Sequence, residues 1–396
     1  MSQPAAPTTP PRSPEVVRPD LPVRLLAGES ANQQLEDGVA LCLSGGGYRA
    51  MLFHLGALWR LNEAGLLRKI ARISSVSGGS ITAGVLAVGW DDLGFDSNGV
   101  AARFDEVVAK PIRKLAKHTI DVPSVVVGLL EPLSSIGHHV AAAYKHHLFG
   151  DKTLQVLPER PRFVINSTNL ASGELFRFSK PYAADWRVGR INSPDIPVAT
   201  AVACSSAFPP FLSPYRLDLS HQTWTTDVGN DLTTPDYRGD LRLSDGGVYD
   251  NLGLETAWKT CRTVLVSDAG GHIAPEAEPP GDWGRHMLRV LQVIDNQVRS
   301  LRKRQVIGGL ARGDRDGVYL GIRSDVADYN LADPMPANPD VTIKLAALST
   351  RLAETDDDIQ EKLINWGYVM GDTGLRRHLD PAVPKGTLPY PNRPLA

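Results

Sequence analysis

Apolar positions in this chain follow two alternating periods, and the alternation outlines a fold. A continuous apolar run over 39–43, bounded by glycines, predicts a buried strand. Met51, Leu52, Leu55, Leu58 and Trp59 then share one face of a 3.6-residue repeat, which predicts a helix over 49–65. A β-prone run over 70–76 and a helix-compatible run over 78–89 repeat the pattern. Strand signals return at 162–167, 175–179, 263–267 and 318–322. Strands alternating with helices predict an α/β chain with a mainly parallel central sheet covered on both faces, a three-layer sandwich.

Residues 91–160 interrupt the alternation with helical pieces over 100–118 and 136–149, a helical insertion that could form part of a lid or pack as additional structure. The stretch 213–241 is polar and rich in turn residues, so it is expected to form loops together with a short hairpin. A strong amphipathic helix is expected over 283–307, with Met287, Leu291, Ile294, Val298 and Leu301 on one stripe. Its last turns carry Arg299, Arg302, Lys303 and Arg304, which complement the helix dipole or form a membrane-facing patch. Thr355 before three aspartates predicts an N-cap and a helix reaching about Gly371. A Pro-rich stretch over 381–396 follows. The expected organisation is an N-terminal arm over 1–37, a body over 38–325 with the insertion at about 91–160, and a C-terminal helical extension with its tail over 326–396.

Composition narrows the classes. With 42 basic and 44 acidic residues the chain of 396 is near neutral, so nothing in the overall balance calls for nucleic acid. The arm is Pro-rich, with Pro22–Leu26 its most order-prone part, and has neither an apolar core run nor a cleavage site; it does not read as a leader or anchor. No window is apolar for long enough to span a bilayer, so the expectation is a cytoplasmic protein whose contact with lipid is peripheral. Cys42, Cys204 and Cys261 are odd in number and scattered, which suits buried thiols in a reducing compartment. His138, His139, His146 and His147 invite a metal reading. On a helix, however, the two pairs lie about 10 Å apart, too far to share one ion, so no metal or other cofactor is expected.

Three glycine-rich stretches carry the chemistry. In Ser75-Val76-Ser77-Gly78-Gly79 a strand meets a tight turn and then a helix, the order of a nucleophile elbow that lifts Ser77 above a sheet edge. Gly79 gives the turn room, and the helix N-terminus favours developing negative charge there. Ser75 stands where the elbow pattern has its first glycine, which is expected to strain the turn, so Ser75→Gly is expected to be tolerated and to relax it. Upstream, Gly45-Gly46-Gly47-Tyr48-Arg49 joins the first strand to the first helix; three glycines let backbone N–H groups converge on an anion. Beside a nucleophilic serine such a loop serves as an oxyanion hole. The candidate donors are Gly46, Gly47 and Gly78, with Gly45 in the same loop. Downstream, Asp245-Gly246-Gly247 places an aspartate on a glycine turn.

Together these stretches resemble the patatin-like phospholipase family, whose signature is G-G-G-x-[RK], G-x-S-x-G and D-G-[GA] in that order. Arg49 falls on the basic position of the first, and Gly79, Gly246 and Gly247 on glycines of the others. The segments 166–174 and 203–210 (ACSSAFPP) also look like the family, and the resemblance spans roughly 38–268. It implies a lipid acyl hydrolase, phospholipase A or lysophospholipase-like, in which Asp245 activates Ser77 directly as a Ser–Asp dyad. The substrate would be a phospholipid or other lipid ester; the oligomeric state is not implied. An unperturbed aspartate titrates near 4, so Asp245 is expected to be ionised at neutral pH but weakly basic.

Other readings stay open at this stage. Ser77, Asp245 and His272 have the chain order of an α/β-hydrolase triad. His54, on the helix after the glycine loop, reads as packing. A nucleotide cradle would call for G-K-[ST] or G-x-G-x-x-G, and neither follows the glycines. Ser75 also leaves room for an inactive lipid-binding or scaffolding protein.

Overall fold

The computed structural model of the protein describes residues 35–121, 136–227 and 230–396. Most of the expected arm, including Pro22–Leu26, and part of the expected insertion lie outside the described residues. One eleven-stranded sheet organises the molecule. Its parallel half runs β11 (Asp316–Gly321), β10 (Cys261–Asp268), β1 (Glu36–Leu43), β2 (Ile70–Ser75) and β3 (Arg162–Asn169). Antiparallel strands extend it beyond β3: β4 (Glu174–Phe178), β5 (Tyr182–Asp185), β6 (Gly189–Asn192) and β8 (Trp224–Thr225). The pair β7 (Tyr215–Asp218) and β9 (Asp240–Asp245) joins β3 separately.

Strand alternation sorts the core into two layers. Ala40, Cys42, Val264 and Val266 turn one way, onto Leu252, Leu254 and Ala257 and onto Val306 of a long helix. Leu41, Leu43, Ile73 and Leu265 turn the other way into the larger core. That larger layer holds α1 (Gly47–Glu63), α2 (Gly78–Val88), α3 (Val198–Ser205) and α5 (Asp357–Gly374), while the long helix α4 (Trp283–Arg312) lies on the smaller one. The expected three-layer sandwich is therefore present. The three cysteines are buried free thiols.

The C-terminal residues pack on the same body. Gly56 of α1 and Gly367 of α5 face each other so closely that a Cβ on either would lie 1.8 Å from the opposing backbone. Arg60 of α1 donates to buried Asp372 of α5 at 2.8 Å, and Trp366 donates to the Ile322 carbonyl. The tail has no regular element, as its composition indicates, but Asn365 holds the Tyr390 and Arg393 carbonyls and Leu395 is buried.

Two expectations need correction, and two features were not foreseen. The stretch 213–241 holds β7, β8, the short helix Pro235–Arg238 and the start of β9. The cap of α5 is Asp356, which accepts from the Ile359 N–H, while the Thr355 N–H is bound to the Ala116 carbonyl; the helix continues to Gly374. Short β5, β6 and α3 gave no periodic signal. On α4, finally, the apolar stripe does not face the core: only Val306 and Gly309 of its thirty residues are buried.

Candidate active site

The site forms where β2 stops. Ser75 pairs with Ile165 of β3, and two residues further along β3 Ser167 pairs with Asp245 of β9. Ser167 also pairs with Phe176 of β4, so β9 occupies the edge of β3 that β2 has vacated. The two strand ends meet head-on. One delivers Ser77 to the gap and the other delivers Asp245.

Ser77 sits at φ 53°, ψ −121° at the start of α2, an elbow conformation that few non-glycine residues adopt. Its backbone N–H donates to Ser205 Oγ at 3.0 Å. Ser205 in turn donates to the Asn166 carbonyl at 2.6 Å and contacts Ser80 Oγ at 2.9 Å. The Ser80 hydroxyl also donates to Ser75 Oγ at 3.0 Å. Ser75 therefore lies in extended strand with its hydroxyl inside a serine network bracing the turn. The strained backbone belongs to Ser77, not to Ser75, which corrects the expected cost of the missing glycine.

The same turn after α3 holds the aspartate. The Asp245 N–H donates to the Ala207 carbonyl at 2.8 Å and the Gly246 N–H to the Ser205 carbonyl at 3.2 Å. Thr168 Oγ1 donates to the Asp245 carbonyl at 2.8 Å. Asp245 Oδ1 accepts from the Gly247 N–H at 2.7 Å, and Oδ2 is buried with no hydrogen bond of ordinary geometry. Burial drives the Asp245 pKa from 3.8 up to about 7, against the smaller opposing effects of the Gly247 N–H and the nearby Ser77 hydroxyl. The Asp245 carboxyl is thus more basic than an unperturbed aspartate.

The glycine loop closes the third side. Gly46 (φ 146°) and Gly47 (φ 60°) turn the chain from β1 into α1, and a Cβ on Gly78 would lie 2.1 Å from the Gly47 carbonyl oxygen. Only bare backbone lets the loop approach the elbow so closely. The N–H groups of Gly46, Gly47 and Gly78 have no acceptor among the described residues, whereas that of Gly45 is held by the Asn251 carbonyl at 3.0 Å. Gly45 contributes shape: a Cβ there would meet Asn251 Oδ1 and the Ser77 Cβ. Gly79 lies against the Leu43 and Ser44 carbonyls and Gly246 against that of Asn166, so each is confined by backbone.

Arg49 braces the loop from behind. It donates to the Ala269 carbonyl at 3.0 and 3.2 Å, to Thr350 Oγ1 at 3.0 Å and to the Leu348 carbonyl. Burial lowers its pKa to about 10, so it remains a cation beside the loop. The Arg351 carbonyl accepts the Tyr48 N–H at 2.9 Å, which brings the segment 348–351 onto the glycine turn. No spacing in the sequence pointed to that segment or to Ser205, although ACSSAFPP had stood out as a stretch.

The histidines are otherwise engaged. His54 is fully buried, bonded to Ser267 Oγ at 2.7 Å and the Ser44 carbonyl at 2.9 Å, and burial lowers its pKa to about 4. His272 is exposed and bonds neither Ser77 nor Asp245. His138 packs edge-on to Tyr215, and His147 stacks on His118. Among the described residues no three His, Cys, Asp or Glu side chains are placed to hold a metal ion, and no helix is long and apolar enough to cross a membrane.

A family model described as patatin-like phospholipase matches residues 41–258. Among solved structures, human GIVD cytosolic phospholipase A2 is 14% identical, with a TM-score of 0.40 over 59% of this chain and 45% of its own. The same human enzyme in complex with methyl gamma-linolenyl fluorophosphonate is 15% identical, with a TM-score of 0.46 over 85% of this chain and 57% of its own. VipD from Legionella pneumophila is 15% identical, with a TM-score of 0.32 over 83% and 66%. The chain spans about half the length of the human enzyme. No curated protein matches it.

Proposed function

Because the chain belongs to the patatin-like phospholipase family, a family of lipid acyl hydrolases, we propose that it cleaves carboxylic esters of phospholipids or related lipids through Ser77 and Asp245. The observation that carries the proposal is the buried carboxylate beside the elbow, with one oxygen anchored by Gly247 and the other left open. Asp245 accepts the Ser77 proton as Oγ attacks the ester carbonyl. The tetrahedral oxyanion lies against the N–H groups of Gly46, Gly47 and Gly78, at the N-termini of α1 and α2, with the Arg49 charge behind them. Collapse expels the lipid alcohol, which takes the proton back from Asp245 and leaves an acyl-Ser77 ester. Water then gives a proton to Asp245, attacks the acyl group and releases the fatty acid, and the proton returns to Ser77.

No imidazole is needed for these transfers, which favours the dyad over the triad with His272. The segments over 38–325 are read as the catalytic unit and 326–396 as an extension whose residues 348–351 support the glycine loop. The test is fatty-acid release from mixed phospholipid vesicles. Ser77→Ala should abolish it and His272→Ala should keep it within a few-fold of wild type. Retained turnover in a folded Ser77→Ala would overturn the assignment, and a folded but inactive His272→Ala would overturn the dyad.

A further inference from the structure

Hydrolysis through an acyl-enzyme needs a water held over the acyl carbon, and an aspartate alone fixes only one of that water's two hydrogens. Most polar side chains around Ser77 are already engaged: Ser205 with the Ser77 N–H and the Asn166 carbonyl, Thr168 with the Asp245 carbonyl, and His54 with Ser267 and Ser44. Asn251 is the exception. It follows the short helix Gly247–Asp250, its backbone carbonyl accepts the Gly45 N–H, and its half-buried side chain folds back between two glycine turns. A Cβ on Gly45 would lie 2.5 Å from Asn251 Oδ1 and 3.2 Å from the Ser77 Cβ. A Cβ on Gly247 would lie 2.6 Å from the same oxygen and 2.9 Å from Asp245 Oδ1. Bare backbone at both positions gives the amide its room. A water bridging two oxygens spans about 5.5 Å, so a single water reaches from Asn251 Oδ1 to the Asp245 carboxylate beside Ser77. The amide nitrogen is turned the other way: a Cβ on Gly270 would lie 3.1 Å from it and 3.0 Å from Asp268 Oδ1. Among the described residues no hydrogen bond engages either amide atom.

We propose that Asn251 is a catalytic residue of the deacylation half-reaction, in which its amide oxygen holds the attacking water. The proposal rests on the reading of Ser77 and Asp245 as nucleophile and base. The water donates one hydrogen to Asn251 Oδ1 and keeps it. Its other proton passes to Asp245 as its oxygen forms the bond to the acyl carbon. The bond from that carbon to Ser77 Oγ then breaks, the fatty acid leaves, and the proton returns from Asp245 to Ser77. An acceptor serves this step better than a donor. A donor would occupy the lone pair that must attack, whereas two acceptors turn both O–H bonds away from the carbon and aim the lone pair at it. During acylation the nucleophile is Ser77 itself, placed by its own backbone, and the amide has no water to hold. Asn251 therefore acts in one half-reaction, while Asp245 and the glycine N–H groups act in both.

The two halves separate in the kinetics of a short-chain p-nitrophenyl ester, since kcat/KM reports the steps through acylation and kcat includes deacylation. In Asn251→Ala kcat should fall about 10–100-fold and KM should fall with it, so that kcat/KM changes by no more than a few-fold. Acyl-Ser77 should accumulate during turnover, seen by mass spectrometry of the quenched protein. A fluorophosphonate should still label Ser77 in the variant, because that reaction needs no water. A fall in kcat/KM as large as that in kcat, or loss of labelling, would overturn the proposal, since Asn251 would then be acting on the nucleophile or on the fold. An unchanged kcat would overturn it as well. Failure of the underlying reading shows differently: wild-type protein that a fluorophosphonate does not label at Ser77 forms no acyl-enzyme, which removes the dyad and the proposal with it.

Discussion

Replacing Asp245 with asparagine should inactivate the enzyme and stabilise its fold, and the stabilisation should depend on pH. In the folded chain burial lifts the Asp245 pKa from 3.8 to about 7. A carboxyl raised in this way contributes stability that is fully present below 3.8 and lost as pH rises through about 7. The whole interval corresponds to roughly 4 kcal/mol at 1.36 kcal/mol per pH unit, about 2–3 kcal/mol of it accruing between pH 5 and pH 8. Asp245→Asn keeps the shape and an acceptor for the Gly247 N–H but never takes the charge. Urea unfolding should therefore show the variant gaining about 2–3 kcal/mol more over wild type at pH 8 than at pH 5. Hydrolysis of a short-chain ester should fall by about 10²–10⁴-fold over the same range, the usual contribution of a general base. In wild type, kcat/KM should drop about tenfold per pH unit below about 7 as Asp245 takes up its proton. This limb falls where an unperturbed histidine also titrates, so its position alone does not identify the base. The same limb in His272→Ala assigns it to the aspartate. A stability difference independent of pH, or an acid limb centred near 4, would refute the reasoning.

Two further substitutions test the supports of the site. Ser75→Gly removes a hydroxyl that accepts from Ser80 and adds backbone freedom to a strand, so thermal unfolding should show a loss of about 1–2 kcal/mol with no rise in turnover; faster hydrolysis would show that the elbow had been under strain at Ser75. Asp372→Asn leaves the buried Arg60 guanidinium without its carboxylate and should cost about 3–5 kcal/mol in urea unfolding, whereas a change under about 1 kcal/mol would mean that α5 is held on α1 by apolar packing alone.

The parallel half of the sheet was legible because its strands carry short runs of apolar and β-branched residues, the clearest at Val39–Leu43 before three glycines. Helices α1 and α2 were legible for a related reason, since glycine turns mark where each begins. Strands β5 and β6 have four residues each, too few for a period to show, and α3 is made mostly of small residues that favour no face. β9 was hidden because only two of its six residues, Leu241 and Leu243, are apolar and it sits in a polar stretch. The orientation of α4 could not be read at all: periodicity finds the stripe and says nothing about which side of a helix meets the body. Within the site, local spacing showed the glycine loop, Ser77 and Asp245. Ser205 and the segment 348–351 act across 128 and about 300 residues of chain, through contacts that no spacing encodes.

The head-on meeting of β2 and β9 on one edge of β3 bears directly on how the proposed Ser77–Asp245 dyad would work without a histidine. An aspartate in water is too weak a base to take a proton from a hydroxyl efficiently at neutral pH, whereas imidazole titrates where it is needed. Here the geometry that aims Asp245 at Ser77 also closes the carboxylate in, because its backbone is fixed to Ala207 and Thr168 and its Oδ1 to Gly247. Loss of water raises the carboxylate to about 7, the basicity that a histidine has in solution. The cost is a charge held poorly solvated in the resting site, which in the proposed mechanism the Ser77 hydroxyl relieves by giving up its proton. Position and base strength therefore have a single structural origin, and a substitution that let water reach Asp245 while leaving Ser77 in place should lower the acid limb and the rate together.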